Sequence, residues 1–352
     1  MKQKIIARIR QAIDKSVFPG CVVGYVGARH EKTVLAFGRQ TYEKNSPSIH
    51  ENSLFDVASI TKAIPTSCLA LLLIDRRELG LDDQLIRYVP EFNNSSREKV
   101  LIRHLLTQTL HFNFRLSFLK DSGPDGILQA IFSSDFKSDP GTSFFYSNAT
   151  SILLGLVVER VFGKRLDGIA DEEFFRPLGM NSTSFFCDAA RMKNAVPTEI
   201  DPWRGRMVQG EVHDESAWVL RSGRSRMVAG SAGLFSTAPD LLKFLEMLLN
   251  RGAFGGKRYF SDDIIEQMHT NQLRDLDMRA GLGWELFQNR YMGSRCTERT
   301  IGKTGFTGCV CVCDFGKRAA FVLLSNYTFP NRKQDTGAID EVRRDIADII
   351  LN

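Results

Sequence analysis

Cys309-Val310-Cys311-Val312-Cys313 and Ala319-Ala320-Phe321-Val322-Leu323-Leu324-Ser325 are two apolar runs around the turn Asp314-Phe315-Gly316-Lys317. Such runs, bounded by turn formers, read as paired strands. Cys309, Cys311 and Cys313 alternate, as residues on one strand face do. Two more runs of this kind, residues 21–26 and 33–37, stand near the start of the chain, separated by the polar Arg29-His30-Glu31-Lys32. They predict an antiparallel hairpin.

Working outward from these strands, the middle of the chain reads as helical. Residues 59–79 carry Cys68, Leu69, Leu72 and Leu73 at helical spacing, with Gly80 beyond and Pro65 distorting the first turns. Residues 101–110, 150–162 and 239–250 predict further helices, and Ser261-Asp262-Asp263 starts another. Residues 112–143 are poorly periodic and read as a long covering segment. Both termini are amphipathic helices, with Ile5, Ile6, Ile9 and Ile13 at one end and Ile339, Val342, Ile346, Ile349 and Ile350 at the other. Strands at both ends and helices between predict an α+β fold. An antiparallel sheet is built from both termini, flanked by helices, and carries a mostly helical insert. The expected division is one catalytic unit, with 1–55 and 282–352 forming the sheet part and 56–281 the helical part.

The chain has 352 residues, 43% hydrophobic and 25% charged, with a net charge of +5. That is the composition of a globular protein with a sizeable core. Its charge is dispersed, so nothing supports nucleic-acid binding. The first helix lacks the continuous apolar region of an export signal, and runs such as 69–74 are too short to span a bilayer, so a cytoplasmic location is expected. Seven cysteines, an odd number without zinc-ribbon spacing, predict free buried thiols in a reducing compartment.

Three stretches carry chemistry. Phe55-Asp56-Val57-Ala58-Ser59-Ile60-Thr61-Lys62 places Ser59 and Lys62 one helical turn apart on one face. There a neutral amine is able to take the hydroxyl proton as the serine attacks. Spacing alone does not decide this, because Ser-x-x-Lys recurs at Ser96/Lys99, Ser117/Lys120 and Ser134/Lys137, and a serine at a helix start is also a common cap. Phe145-Tyr146-Ser147-Asn148 offers a phenol for proton transfer and an amide to meet a substrate carbonyl. Gly302-Lys303-Thr304-Gly305-Phe306-Thr307-Gly308 offers a strand edge of small residues with a fixed positive charge. That charge favours a neutral Lys62 and an ionised Tyr146, and attracts a substrate carboxylate.

In this order the three stretches resemble the serine β-lactamase and penicillin-binding-protein superfamily. Tyr-x-Asn points to the class C β-lactamase branch and its esterase and D,D-peptidase relatives. Ile102-Arg103-His104-Leu105-Leu106-Thr107, Val212-His213-Asp214-Glu215, Ala232-Gly233-Leu234-Phe235-Ser236-Thr237 and Gly281-Leu282-Gly283-Trp284 look like further landmarks of it. The resemblance implies a serine hydrolase without cofactor or metal, acting through an acyl-enzyme on a small ester, β-lactam or peptide. It makes Ser59 the nucleophile, Lys62 its activator and Tyr146 the proton donor to the leaving group. Asn148 would bind a substrate carbonyl. The N–H groups of Ser59 and Phe306 would form the oxyanion hole, in the stretch that also holds Gly305. Lys303 and Thr304 would contact the substrate carboxylate or tune the network.

Two departures stand out. Relatives usually continue Leu-Leu-Thr with His-Thr-Ser-Gly, and this chain has Gln108-Thr109-Leu110-His111. Where relatives often have Gly-His-Ala-Gly, it has Gly230-Ser231-Ala232-Gly233. His213 is expected to be structural, and Arg221, Arg224 and Arg226 to lie on a solvated loop. The altered wall at Gln108 to His111 motivates the alternative of a catalytically inactive binding or assembly protein that keeps the fold.

Overall fold

A computed structural model describes residues 1–27, 31–223, 226–333 and 335–352. Arg29 and His30 of the expected hairpin connection, and Arg224 of the basic cluster, lie outside the described residues. The sheet has seven strands: β1 (Gly20–Val26), β2 (Lys32–Gly38), β3 (Ala280–Gly281), β4 (Trp284–Leu286), β5 (Thr300–Thr304), β6 (Val310–Asp314) and β7 (Ala319–Ser325). Their order is β2-β1-β7-β6-β5-β4-β3. Each neighbouring pair is antiparallel. The two ends of the chain meet where β1 pairs with β7, Cys21 opposite Ser325 and Val26 opposite Ala320.

Alternation along the central strands sorts side chains into two cores. Val22, Val26, Cys309, Cys311, Cys313, Val322 and Leu324 face the helical insert. Cys21, Val23, Tyr25, Val310, Val312, Phe321 and Leu323 pack with Ile5, Ile9, Val342 and Ile346 of the terminal helices, Lys2–Asp14 and Gly337–Ile350. Because both faces are buried, these strands read as continuous apolar runs rather than as polar–apolar alternation. All seven cysteines are free, and all but Cys187 are buried.

Most expected helices are present, among them Asn148–Phe162 and Ala238–Leu249. The segment around Pro65 is not one continuous helix. A tight 3₁₀ turn (Ala58–Lys62) and a wide turn (Ala63–Ser67) precede the regular helix Cys68–Asp75, with a non-helical Ile64 inside the wide turn. Proline removes an amide donor and crowds the preceding turn, so the break falls where the ring demands it. Ala58–Asp75 is long and apolar enough to cross a membrane, but 83% of it is buried inside the protein. The stretch 112–143, expected to be irregular, contains the helix Gly123–Ser133. It buries only Ile127 and Ile131, too few apolar positions for a clear periodic signal.

Candidate active site

Ser59 enters the cleft on a strained turn. Ala58 adopts a left-handed φ of +48°, which an alanine tolerates only under constraint. Buried Asp56 supplies that constraint: its Oδ1 accepts from the Ala58 N–H at 2.8 Å and its Oδ2 from the His213 N–H at 2.7 Å. Burial pushes this carboxyl up to about 6, against the pull of the two N–H donors.

On the face of that turn, Lys62 Nζ donates to Ser59 Oγ at 2.9 Å and to the Ser231 carbonyl at 2.8 Å. Lys62 is 3% exposed. Burial, assisted by the nearby Lys303 charge and opposed by Tyr146, lowers its pKa from the usual lysine value. A neutral amine keeps two hydrogens, enough for both contacts, and a lone pair that is able to take the Ser59 proton as the serine attacks. The other three Ser-x-x-Lys pairs lie at the surface, where Lys99 meets Asp139 and Lys120 sits over Trp203.

Tyr146 lies between the two lysines, Lys62 Nζ 4.9 Å and Lys303 Nζ 4.5 Å from its ring centre. Desolvation raises its phenol pKa. The charges of Lys62 and Lys303, with hydrogen bonds from Lys62 and Ser59, outweigh that and lower it from the usual value. Tyr146 is 41% exposed, as a wall of the cleft. Asn148 opens the next helix and donates to Asp214 Oδ2 at 2.8 Å, while Asp214 caps the helix Glu215–Ser222.

Lys303 and Thr304 end strand β5. Lys303 is 5% exposed and ion-paired with Glu285 of β4 at 2.5 Å. Tyr291 donates to the other Glu285 oxygen at 2.8 Å. Desolvation opposes both charges of the pair, yet their attraction holds Lys303 above and Glu285 below their usual pKa values. The Lys303 charge is therefore compensated from within. Its position between Glu285 and Tyr146 favours the tuning role over direct carboxylate binding.

The strand end lies against the nucleophile turn because Gly305 has no side chain; a Cβ there would stand 2.4 Å from the Val57 carbonyl oxygen. Thr307 Oγ1 donates to the Asp56 carbonyl at 2.8 Å. Arg343 donates to the Gly305 and Cys309 carbonyls at 2.9 and 3.0 Å. Among the described residues, no acceptor in the fold takes up the Phe306 N–H. That leaves it free for a substrate oxygen. Ser59, Tyr146, Asn148, Thr304, Gly305 and Phe306 thus line one cleft of about 390 Å³, with Lys62 and Lys303 beneath. A larger trough of about 740 Å³, near Glu266, Arg274 and Arg279, contains none of these groups.

One model matches almost the whole chain: the Beta-lactamase family, over residues 5–344. This chain belongs to the beta-lactamase family. It is a serine hydrolase of that family. A relative from Escherichia coli (strain K12), "Putative D-alanyl-D-alanine carboxypeptidase", is 28% identical over 305 residues, covering 78% of this chain and 69% of the relative. The structure of "EstCE1, a hydrolase with promiscuous acyltransferase activity" superposes with a TM-score of 0.76 at 20% identity, covering 97% of this chain and 98% of that one. A class C beta-lactamase in complex with cefoxitin gives 0.76 at 18% identity, over 99% and 98%. At such identities the two structures speak for the fold.

Within this beta-lactamase-family site, several contributors had only faint sequence signals. Glu285 follows the landmark tryptophan Trp284 directly, and an acid on a buried strand is the clue to a charged partner. The Ser231 carbonyl is a backbone group and leaves no side-chain signal. Gln108 is the centre of the altered wall. Its φ is +56°, its carbonyl accepts from the Phe145 N–H at 2.8 Å, and its side-chain Oε1 accepts from the Ser147 N–H at 3.0 Å. Its Nε2 donates to Ser151 Oγ at 3.0 Å. Tyr146 is thereby bracketed on both sides by one glutamine. His111 stacks on Phe145 with ring centres 4.1 Å apart. The departure from the usual motif is a built wall that holds the tyrosine loop.

His213 is buried, with neither ring nitrogen hydrogen-bonded, and packs 5.6 Å from the Phe306 ring. Burial and the Arg332 charge push it down to about 3, so it stays neutral. Arg221 donates to the Phe185 carbonyl and covers the Phe186 ring at 4.1 Å. Among the described residues, no group of three or more His, Cys, Asp or Glu is arranged to hold a metal ion.

Proposed function

We propose that this protein hydrolyses a small ester or amide through an acyl-enzyme on Ser59. The observation that carries this reading is the 2.9 Å contact of buried Lys62 with Ser59 Oγ beside Tyr146. Ser59 Oγ attacks the substrate carbonyl carbon and its proton passes to the neutral Lys62 amine. The N–H groups of Ser59 and Phe306 hold the oxyanion that forms. As the carbon–leaving-group bond breaks, Tyr146 delivers a proton to the departing atom. Water, losing a proton to the phenolate so formed, then attacks the acyl carbon; as the bond to Ser59 breaks, Lys62 returns to Oγ the proton it took, which restores the serine, the amine and the phenol.

The names of its similar proteins, a D-alanyl-D-alanine carboxypeptidase, a hydrolase with promiscuous acyltransferase activity and a class C beta-lactamase, support acyl transfer from D-amino-acid peptides, β-lactams or other acyl compounds, esters among them. Ester hydrolysis is favoured. The cations on the Phe306 side of the cleft are internally paired, Lys303 with Glu285 and both Arg290 and Arg343 with Asp340. Ile339, Met278 and Phe306 give that side an apolar lining. The expected result is turnover of a neutral p-nitrophenyl ester, slower turnover of a penicillin, and loss of both in Ser59→Ala. Ester turnover that Ser59→Ala leaves intact would reject the reading.

A further inference from the structure

The cleft does not end at Tyr146 and Asn148. A second lobe of about 290 Å³ opens beyond them, and Tyr146, Asn148 and Asp214 line both. Phe114, Leu116 and Phe145 give it an apolar wall, Ser117, Ser147 and Ser216 add hydroxyls, and Arg115 stands among them. The charges of this lobe are unevenly satisfied. Glu215 is paired with Arg332 at 2.7 Å. Asp214 is engaged by Asn148, by Ser216 Oγ at 2.6 Å and by the Ala217 N–H at 2.9 Å.

Arg115 is different. Among the described residues, no carboxylate, carbonyl or aromatic ring is paired with its guanidinium. Every other cation lining the two lobes has an internal partner. A planar guanidinium with its donors unclaimed is the natural receptor for a carboxylate, which it meets with two parallel hydrogen bonds.

We propose that this second lobe is a substrate subsite for an acyl chain with an apolar body and a terminal carboxylate, which pairs with Arg115. The proposal rests on Ser59 as the acylated nucleophile. An acyl group held on Ser59 extends past Asn148, lays its methylene groups against Phe114, Leu116 and Phe145, and presents its carboxylate to Arg115. Anion recognition is thereby displaced from Lys303, whose charge Glu285 occupies, to the opposite end of the cleft. Asp214 sets the limit of the preference, because its carboxylate repels an anion that stops short of Arg115.

The test compares three p-nitrophenyl esters of equal chain length, ending in a methyl, a carboxylate or an ammonium group. In the wild type, kcat/KM for the carboxylate ester should exceed that for the methyl ester, through a lower KM. Arg115→Ala should cut this ratio about fivefold, the scale of an exposed ion pair. Arg115→Glu should shift the preference to the ammonium ester, and added salt should erode the wild-type preference. A ratio that both variants leave unchanged, with turnover still dependent on Ser59, overturns the subsite and spares the nucleophile. Turnover of all three esters that Ser59→Ala does not abolish removes the nucleophile, and the subsite with it.

Discussion

Lys62→Met lowers ester turnover about 10²–10⁴-fold, the range assigned to a positioned general base. The size follows from direct contact with the nucleophile. Lys62 stands 2.9 Å from Ser59 Oγ, and its burial lowers the pKa so that the free amine forms at lower pH than in water. Lys303 has no such freedom, because Glu285 holds its proton in place. Stability should not fall in parallel. Methionine fills the same channel without a buried amine to desolvate, so the thermal midpoint of Lys62→Met should match or exceed the wild type. The pH profile gives an independent check. Activity that needs the neutral amine rises as pH increases through the Lys62 pKa, and the lowered pKa places this rise below the ordinary lysine range. A variant with wild-type kcat would remove Lys62 from the mechanism.

Glu285→Ala carries the largest expected effect on stability, a loss of about 3–5 kcal/mol. The reason is asymmetry. The Lys303–Glu285 pair is almost fully buried, with side chains 6% and 11% exposed. Removing the acid strands a charge that water cannot reach and leaves the buried Tyr291 hydroxyl without its acceptor. The double variant Glu285→Leu/Lys303→Met, which removes both charges, should recover most of that stability and none of the activity. Comparing single and double variants by denaturant unfolding separates the stranded-charge cost from lost packing. Equal destabilisation of Glu285→Ala and the double variant would show that the pair contributes packing alone. Lys303 also lowers the Tyr146 pKa, so its loss moves the phenol back towards its ordinary value.

Much of the fold was legible because burial on both sheet faces writes long apolar runs into β6 and β7. The terminal helices were legible for the opposite reason, since one buried and one solvated face give clean helical spacing. The helix Gly123–Ser133 buries too little to announce itself. At the site, Ser59, Lys62, Tyr146 and Lys303 were readable as residue types at telling spacings, and the fold gathers them into one cleft. What the sequence left out is pairing across long separations. Glu285 and Lys303 meet through adjacent strands, the Ser231 carbonyl reaches Lys62 from a distant loop, and Gln108 brackets Tyr146 from another. Each of these contacts is set by tertiary structure, and no local pattern encodes it.

The central claim is that Ser59 carries the acyl group. Intact-mass measurement after brief mixing with a slowly released acylating substrate, a penicillin or a hindered p-nitrophenyl ester, tests it directly. The account predicts one adduct of the acyl mass, located on the peptide that contains Ser59 and absent in Ser59→Ala. An adduct on any other residue, or the same adduct in Ser59→Ala, would contradict it.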